Sequence, residues 1–167
     1  MTSNGTFRSE CSLPGVARVK RRILLVDQDA AVLLTVKAVL EMNDFEVEAV
    51  SSAREALEKM ESGTYHMLIT ETGMEREAPN LEVIRAARRQ PYDPAIALLT
   101  TDPSPDGDWH DGEHTVLIKP IGTEDLLRQI EALLIRHEDE KRLRRSTLHL
   151  VKKQAARFKA ERRRRLS

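Results

Sequence analysis

The chain has 167 residues, 40% of them hydrophobic and 32% charged, with 27 Lys and Arg balancing 27 Asp and Glu. That suits one domain with an appendage, and its core must be aliphatic because aromatics make up only 4%. The single cysteine, Cys11, excludes an internal disulfide and a cysteine-based zinc cluster, and no apolar run approaches the roughly 20 residues that cross a bilayer. Met1–Arg22 lacks the apolar block of a secretory signal, so a cytoplasmic location is expected.

Zero net charge conceals a division. Lys141–Ser167 holds twelve basic residues and one acid, Glu161, which leaves fifteen basic and twenty-six acidic residues for the rest. Such a split predicts an acidic globule and a basic tail. A smaller basic cluster, Arg18–Arg22, precedes the first apolar run.

In chain order, strands and helices alternate. Ile23–Val26 is a continuous apolar run, as expected of a strand buried on both faces. Val32, Leu33, Val36, Val39 and Leu40 recur at helical spacing and predict a helix over Ala30–Met42. Phe45–Val50 alternates apolar and acidic residues, the pattern of a half-exposed edge strand. Ser52 with Glu55 reads as a capping box opening a helix that carries Ala56, Leu57 and Met60 and closes at Gly63. Met67–Ile69 is a buried strand, and a helix with Leu81, Ile84 and Ala87 ends before Pro91. Ala95–Leu99 and Val116–Ile118 are two further strands, and Leu126, Leu127, Ile130, Leu133 and Leu134 stripe a last amphipathic helix.

Five such strands predict an α/β fold, a parallel sheet covered on both faces, with ligands at the carboxyl ends of its strands. Asp27, Glu71, Thr100 and Lys119 fall there. A carboxylate pair, a hydroxyl and an ammonium suit a divalent cation beside a phosphoryl group, because hard oxygens hold Mg²⁺ and a lysine offsets phosphate charge. The same four could equally form a buried polar cluster with no ligand.

The segments ILLVDQDAAVLLTVKAVLE, YHMLITETGM, LLTTD and VLIKP, in that order, resemble the receiver domain of two-component response regulators over Arg22–His137. The resemblance implies a flavodoxin-like (βα)₅ sheet of strand order 2-1-3-4-5. It also implies a phosphorelay role, with a histidine kinase donating a phosphoryl group to an aspartate after the third strand. Thr100 and Lys119 would contact that group, and Lys119-Pro120 would be the family's Lys-Pro pair, with Pro120 the cis-proline candidate.

Against that pattern, Glu71 replaces the acceptor aspartate and Gln28 the second acid of the metal pocket; Asp29 aligns with the variable position that follows. Val116 stands where an aromatic switch residue is expected, and Glu75–Asn80 lacks the usual Pro-Gly. A carboxylate one methylene longer cannot keep the in-line position, and a displacement of about 1 Å can cost on the order of 100-fold in rate. An amide at Gln28 weakens Mg²⁺ held by Asp27 and Glu71, so no cofactor is required. A pseudo-receiver is therefore expected, held in one conformation and acting independently of phosphorylation as a non-enzymatic partner of a histidine kinase or other regulator.

Three regions make up the predicted organisation: a flexible segment 1–21, a receiver-like domain 22–137, and a helical or disordered tail 138–167. Pro103, Pro105, Gly107 and Gly112 predict that the family's fourth helix is reduced or lost. Asp106, Asp108, His110, Asp111 and His114 read as a solvated loop rather than a metal site. The tail carries Lys141, Arg142, Arg144, Arg145, Lys152, Lys153, Arg162, Arg163, Arg164 and Arg165, with Leu148, Val151, Ala155 and Phe158 at 3-4-3 spacing. Two readings stay open for it: a solvated arm against an acidic domain, or a binder of nucleic acid or an anionic surface with the domain as scaffold or homodimerisation unit. Cys11 and His66 carry no catalytic spacing, and His66 reads as structural.

Overall fold

The computed structural model describes residues 20–71, 79–101, 115–119 and 122–164. In chain order they form β1 (Arg21–Val26), α1 (Ala30–Glu41), β2 (Phe45–Val50), α2 (Ala53–Ser62), β3 (Met67–Glu71), α3 (Pro79–Arg89), β4 (Ala95–Thr100), β5 (Thr115–Ile118) and α4 (Thr123–Arg164). The strands make one parallel sheet of order β2-β1-β3-β4-β5. This is the flavodoxin-like arrangement expected from the sequence.

Alternate residues of the inner strands feed opposite cores. Ile23, Leu25, Met67, Ile69, Ala97 and Leu99 pack on one face, against Val36 and Leu40 of α1 and Leu126, Ile130 and Leu134 of α4. Leu24, Val26, Leu68, Ile96 and Leu98 pack on the other, against Ala56 and Met60 of α2 and Val83, Ile84 and Ala87 of α3. A strand clad on both faces has no polar side, which is why these runs read as continuous apolar stretches. Each fully buried Leu or Ile contributes about 1.5–3 kcal/mol relative to exposure.

The ends of the elements follow local chemistry. Asp29 caps α1 by accepting from the Ala31 N–H at 2.8 Å. Ser52 Oγ accepts from the Glu55 N–H, and the Glu55 carboxylate returns the bond to the N–H of Ser51. Gly63 caps α2 in extended backbone rather than the left-handed form usual for a helix-ending glycine. Space explains it: a Cβ there would lie 3.3 Å from the Tyr65 hydroxyl and 3.4 Å from the Lys59 carbonyl. Asp44 and Asp93 take left-handed backbone, φ 65 and 47, in the turns before β2 and β4.

Strand boundaries exceed the apolar runs. β1 starts at Arg21, so two residues of the basic cluster belong to the sheet, and β3 and β4 end on Glu71 and Thr100 themselves. The tail reading sharpens most: α4 is one helix of 42 residues, about 63 Å long at 1.5 Å per residue, with no break near His137. Its first turns past His137 are tied to the domain. His137 Nε2 lies 2.8 Å from the Asp93 carbonyl, and Lys141 Nζ donates to the carbonyls of Tyr92 and Asp93 at 2.6 and 2.8 Å. Arg144 pairs with the Asp93 carboxylate at 3.1 Å, and Glu138 accepts from Arg21 at 3.4 Å. Lys141 and Arg144 thus find partners within the domain. Residues 1–19, the Glu75–Ala78 part of the loop, the 102–114 stretch of the expected helix loss, Pro120 and Arg165 lie outside the described residues. So do the side chains of Arg162, Arg163 and Arg164.

Candidate functional site

Parallel pairing brings the carboxyl ends of β1, β3, β4 and β5 to one edge of the sheet: Val26 is in register with Thr70, Glu71 with Leu99, and Thr100 with Ile118. Asp27 is the residue after β1, and its side chain is 0% exposed. Lys119, the residue after β5, is fixed at its backbone by an N–H donated to the Thr100 carbonyl at 2.6 Å. Its ammonium reaches back across the sheet and donates to Asp27 Oδ2 at 2.7 Å and Glu71 Oε1 at 3.4 Å. The other Asp27 oxygen, Oδ1, accepts from the Asp29 N–H at 2.8 Å.

A buried carboxylate requires a compensating charge and hydrogen bonds to both oxygens, and Asp27 has them. Burial works against the charge on Lys119, whose side chain is 15% exposed; its bonds and proximity to Asp27 and then Glu71 outweigh that and raise its pKa. Glu71 is 31% exposed and is the more accessible acid. Thr100 is buried at the end of β4, Gln28 is exposed beside Asp27, and Val116 on β5 is exposed. The edge therefore gathers Asp27, Glu71 and Lys119 by direct contact, with Thr100 and Gln28 beside them and Val116 further back along its strand. Among the described residues no group of three or more His, Cys, Asp or Glu is arranged to hold a metal ion.

A receiver domain of response regulators, described as a family, matches residues 23–131 of this sheet and its helices. The chain belongs to the response regulator receiver domain family. It is 34% identical over 118 residues to the response regulator MprA of Mycolicibacterium vanbaalenii, covering 69% of this chain and 51% of that protein. It is 27% identical over 124 residues to the transcriptional regulatory protein BasR of Escherichia coli, covering 71% and 54%. The chain thus spans about half the length of these relatives. Among solved structures, the CheY-like receiver from Methanospirillum hungatei superimposes with a TM-score of 0.64 at 27% identity, over 72% of this chain and 98% of that one. The chemotaxis protein CheY4 of Vibrio cholerae does so at 0.62 and 27%, over 68% and 98%. Receiver domains are signalling modules of two-component systems. No described helix is long and apolar enough to cross a membrane.

A second charged cluster, at the opposite edge of the sheet, escaped the sequence reading. Arg22 donates to Glu46 at 2.9 Å, to Glu48 at 2.5 Å and to the Thr64 carbonyl at 3.1 Å, and its guanidinium sits 5.0 Å from the centre of the Tyr65 ring. Lys59 pairs with Glu48 at 2.9 Å. The bond from Lys59 is the main influence holding the Glu48 carboxyl below its ordinary value, while burial followed by the Glu48 carboxylate pushes the Tyr65 hydroxyl up to about 12. His66 Nδ1 accepts from the Arg22 N–H at 3.0 Å, and burial lowers its pKa. The available signal was the Glu46/Glu48 alternation in β2 facing a strand that opens Arg21-Arg22, with Arg22 in register with Glu46.

Proposed function

We propose that this chain is a pseudo-receiver: a two-component signalling module whose conformation is held by its own ion cluster and which acts without being phosphorylated. The observation that carries the reading is the position of Lys119 Nζ, between Asp27 Oδ2 at 2.7 Å and Glu71 Oε1 at 3.4 Å. By resemblance, Glu71 stands at the acceptor position and Lys119 at the position that would contact a phosphoryl group. An acid at the acceptor position that already holds the lysine supplies one negative charge where a phosphoryl group brings roughly −1.5 to −2. Thr100 beside them then serves the cluster rather than a transferred group.

Mg²⁺ fits this donor set poorly. Each Asp27 oxygen already accepts a hydrogen bond, one of them from the Lys119 ammonium, so a dication on this carboxylate would sit beside a cation 2.7 Å from it. Gln28 offers a neutral amide where a carboxylate would add charge. The reading therefore routes no step through a metal. It places the chain in the cytoplasm, docking on a histidine kinase or another regulator by shape and charge, and leaves Val116 as a contact residue rather than a reporter of phosphorylation.

Intact mass after incubation with acetyl phosphate and Mg²⁺, with Glu71→Asp run alongside, tests this. The wild-type mass is expected to stay unchanged. A variant that gains one phosphoryl group would locate the block in one methylene, and a variant that stays unmodified would place it also at Gln28. A modified wild type would overturn the proposal.

A further inference from the structure

Among the described side chains beyond Arg144 no hydrogen bond or ion pair ties α4 to the domain, and every residue from Arg145 to Lys159 is exposed. Leu148, Leu150, Val151 and Phe158 are among them, the last two 55% and 74% exposed. At about 100° per residue these side chains, with Leu143 one turn earlier, spread over somewhat less than half the circumference. Arg145, Lys152, Lys153 and Arg157 occupy the remainder, and Glu161 is the only acid after Glu140.

An occupant must satisfy both halves of that helix. Pairing with the same stretch of a second copy would cover the apolar side chains but set Arg145, Lys152, Lys153, Arg157 and Lys159 against the same five cations. A nucleic acid backbone would neutralise the cations but leave Leu150 and Phe158 in water. The 3-4-3 seam of Leu148, Val151, Ala155 and Phe158 spans barely two heptads, short for knobs-into-holes packing, and leaves Leu143 and Leu150 outside it. A lipid surface asks for no side-chain complementarity; it offers acyl chains below and anionic headgroups above, the environment of an interfacial amphipathic helix.

We propose that the exposed part of α4 docks this chain on anionic lipid membranes, with Leu148, Leu150, Val151 and Phe158 below the headgroups and Arg145, Lys152, Lys153 and Arg157 among the phosphates. This rests on the helix alone and stands or falls separately from the pseudo-receiver reading.

The test is co-sedimentation of the full chain with phosphatidylcholine vesicles, with and without about one third phosphatidylserine. Binding to the anionic vesicles is expected, and it should fall on the order of tenfold in Leu150→Ser/Phe158→Ser and by a similar factor in Lys152→Gln/Lys153→Gln. All four positions are exposed, so circular dichroism should show the fold unchanged. Equal binding to neutral vesicles, or anionic binding that ignores Leu150→Ser/Phe158→Ser, would overturn the proposal. So would the absence of vesicle binding, whether accompanied by duplex DNA binding indifferent to that pair or by a dimer that the pair dissolves.

Discussion

The two edges of the sheet use the same kinds of residue for different ends. At the amino edge, Arg22 is shared among Glu46, Glu48, a backbone carbonyl and an aromatic ring, and Lys59 supplies a second cation. At the carboxyl edge a single ammonium, Lys119, serves two carboxylates, one of them fully buried. The first cluster is redundant and half-exposed, so it resembles a surface network that adds modest stability. A bridging cation beside a fully buried carboxylate is the one whose loss is felt, and parallel topology places it where this fold binds ligands.

The sharpest way to break the comparison is Lys119→Met. It leaves Asp27 buried without its cation and should cost about 3–5 kcal/mol, read as a fall in the urea midpoint. Arg22→Met at the other edge removes several partly exposed bonds at once and should cost only about 1–2 kcal/mol in the same assay. Equal costs would erase the distinction.

Alkaline pH sharpens the contrast. The raised pKa of Lys119 means its stabilisation is complete below the ordinary 10.5 and is lost as pH rises through the folded value. Tyr65, raised to about 12, adds a loss that begins above its ordinary 10.0. In Tyr65→Phe, which should cost about 1 kcal/mol at neutral pH, the alkaline loss of melting temperature that persists is shared by Lys119 and Tyr92. Ultraviolet titration should show both tyrosines ionising later than a free phenol, since burial raises Tyr92 as well. On the acid side, stability from Glu48 is present above its ordinary 4.5 and lost as pH falls through its lowered value. The smallest effect is expected of Arg54→Ala, an exposed helix pair with Glu58 outside both clusters, at under about 0.5 kcal/mol.

Much of this was legible before any coordinates. Apolar runs at Ile23–Val26, Met67–Ile69 and Ala95–Leu99 can be little but strands clad on both faces, and their alternation with helical stripes forces parallel pairing. That alone brings Asp27, Glu71, Thr100 and Lys119 to one edge. That these residues could form one polar cluster was an expectation, and the 2.7 and 3.4 Å separations from Lys119 to Asp27 and Glu71 give it geometry. The amino-edge cluster was not legible, because it depends on the β1–β2 register that sets Arg22 beside Glu46. Nor was the fastening of α4, which turns on the left-handed backbone at Asp93 presenting a carbonyl and a carboxylate to His137, Lys141 and Arg144. Composition marked Lys141 and Arg144 as tail, but cannot show which basic residues find partners at home.

The most direct test of a self-filled site is thermal unfolding of the wild-type chain with and without Mg²⁺ and beryllium fluoride, the combination present in the structure of the Thermotoga maritima response regulator TrrA, which this chain resembles at 26% identity. A ligand that binds only the folded state raises the melting temperature. With Lys119 held by Asp27 and Glu71, the midpoint is expected to stay where it is. A rise of several degrees would mean that the pocket opens to a phosphoryl mimic, and would contradict a site filled by its own side chains.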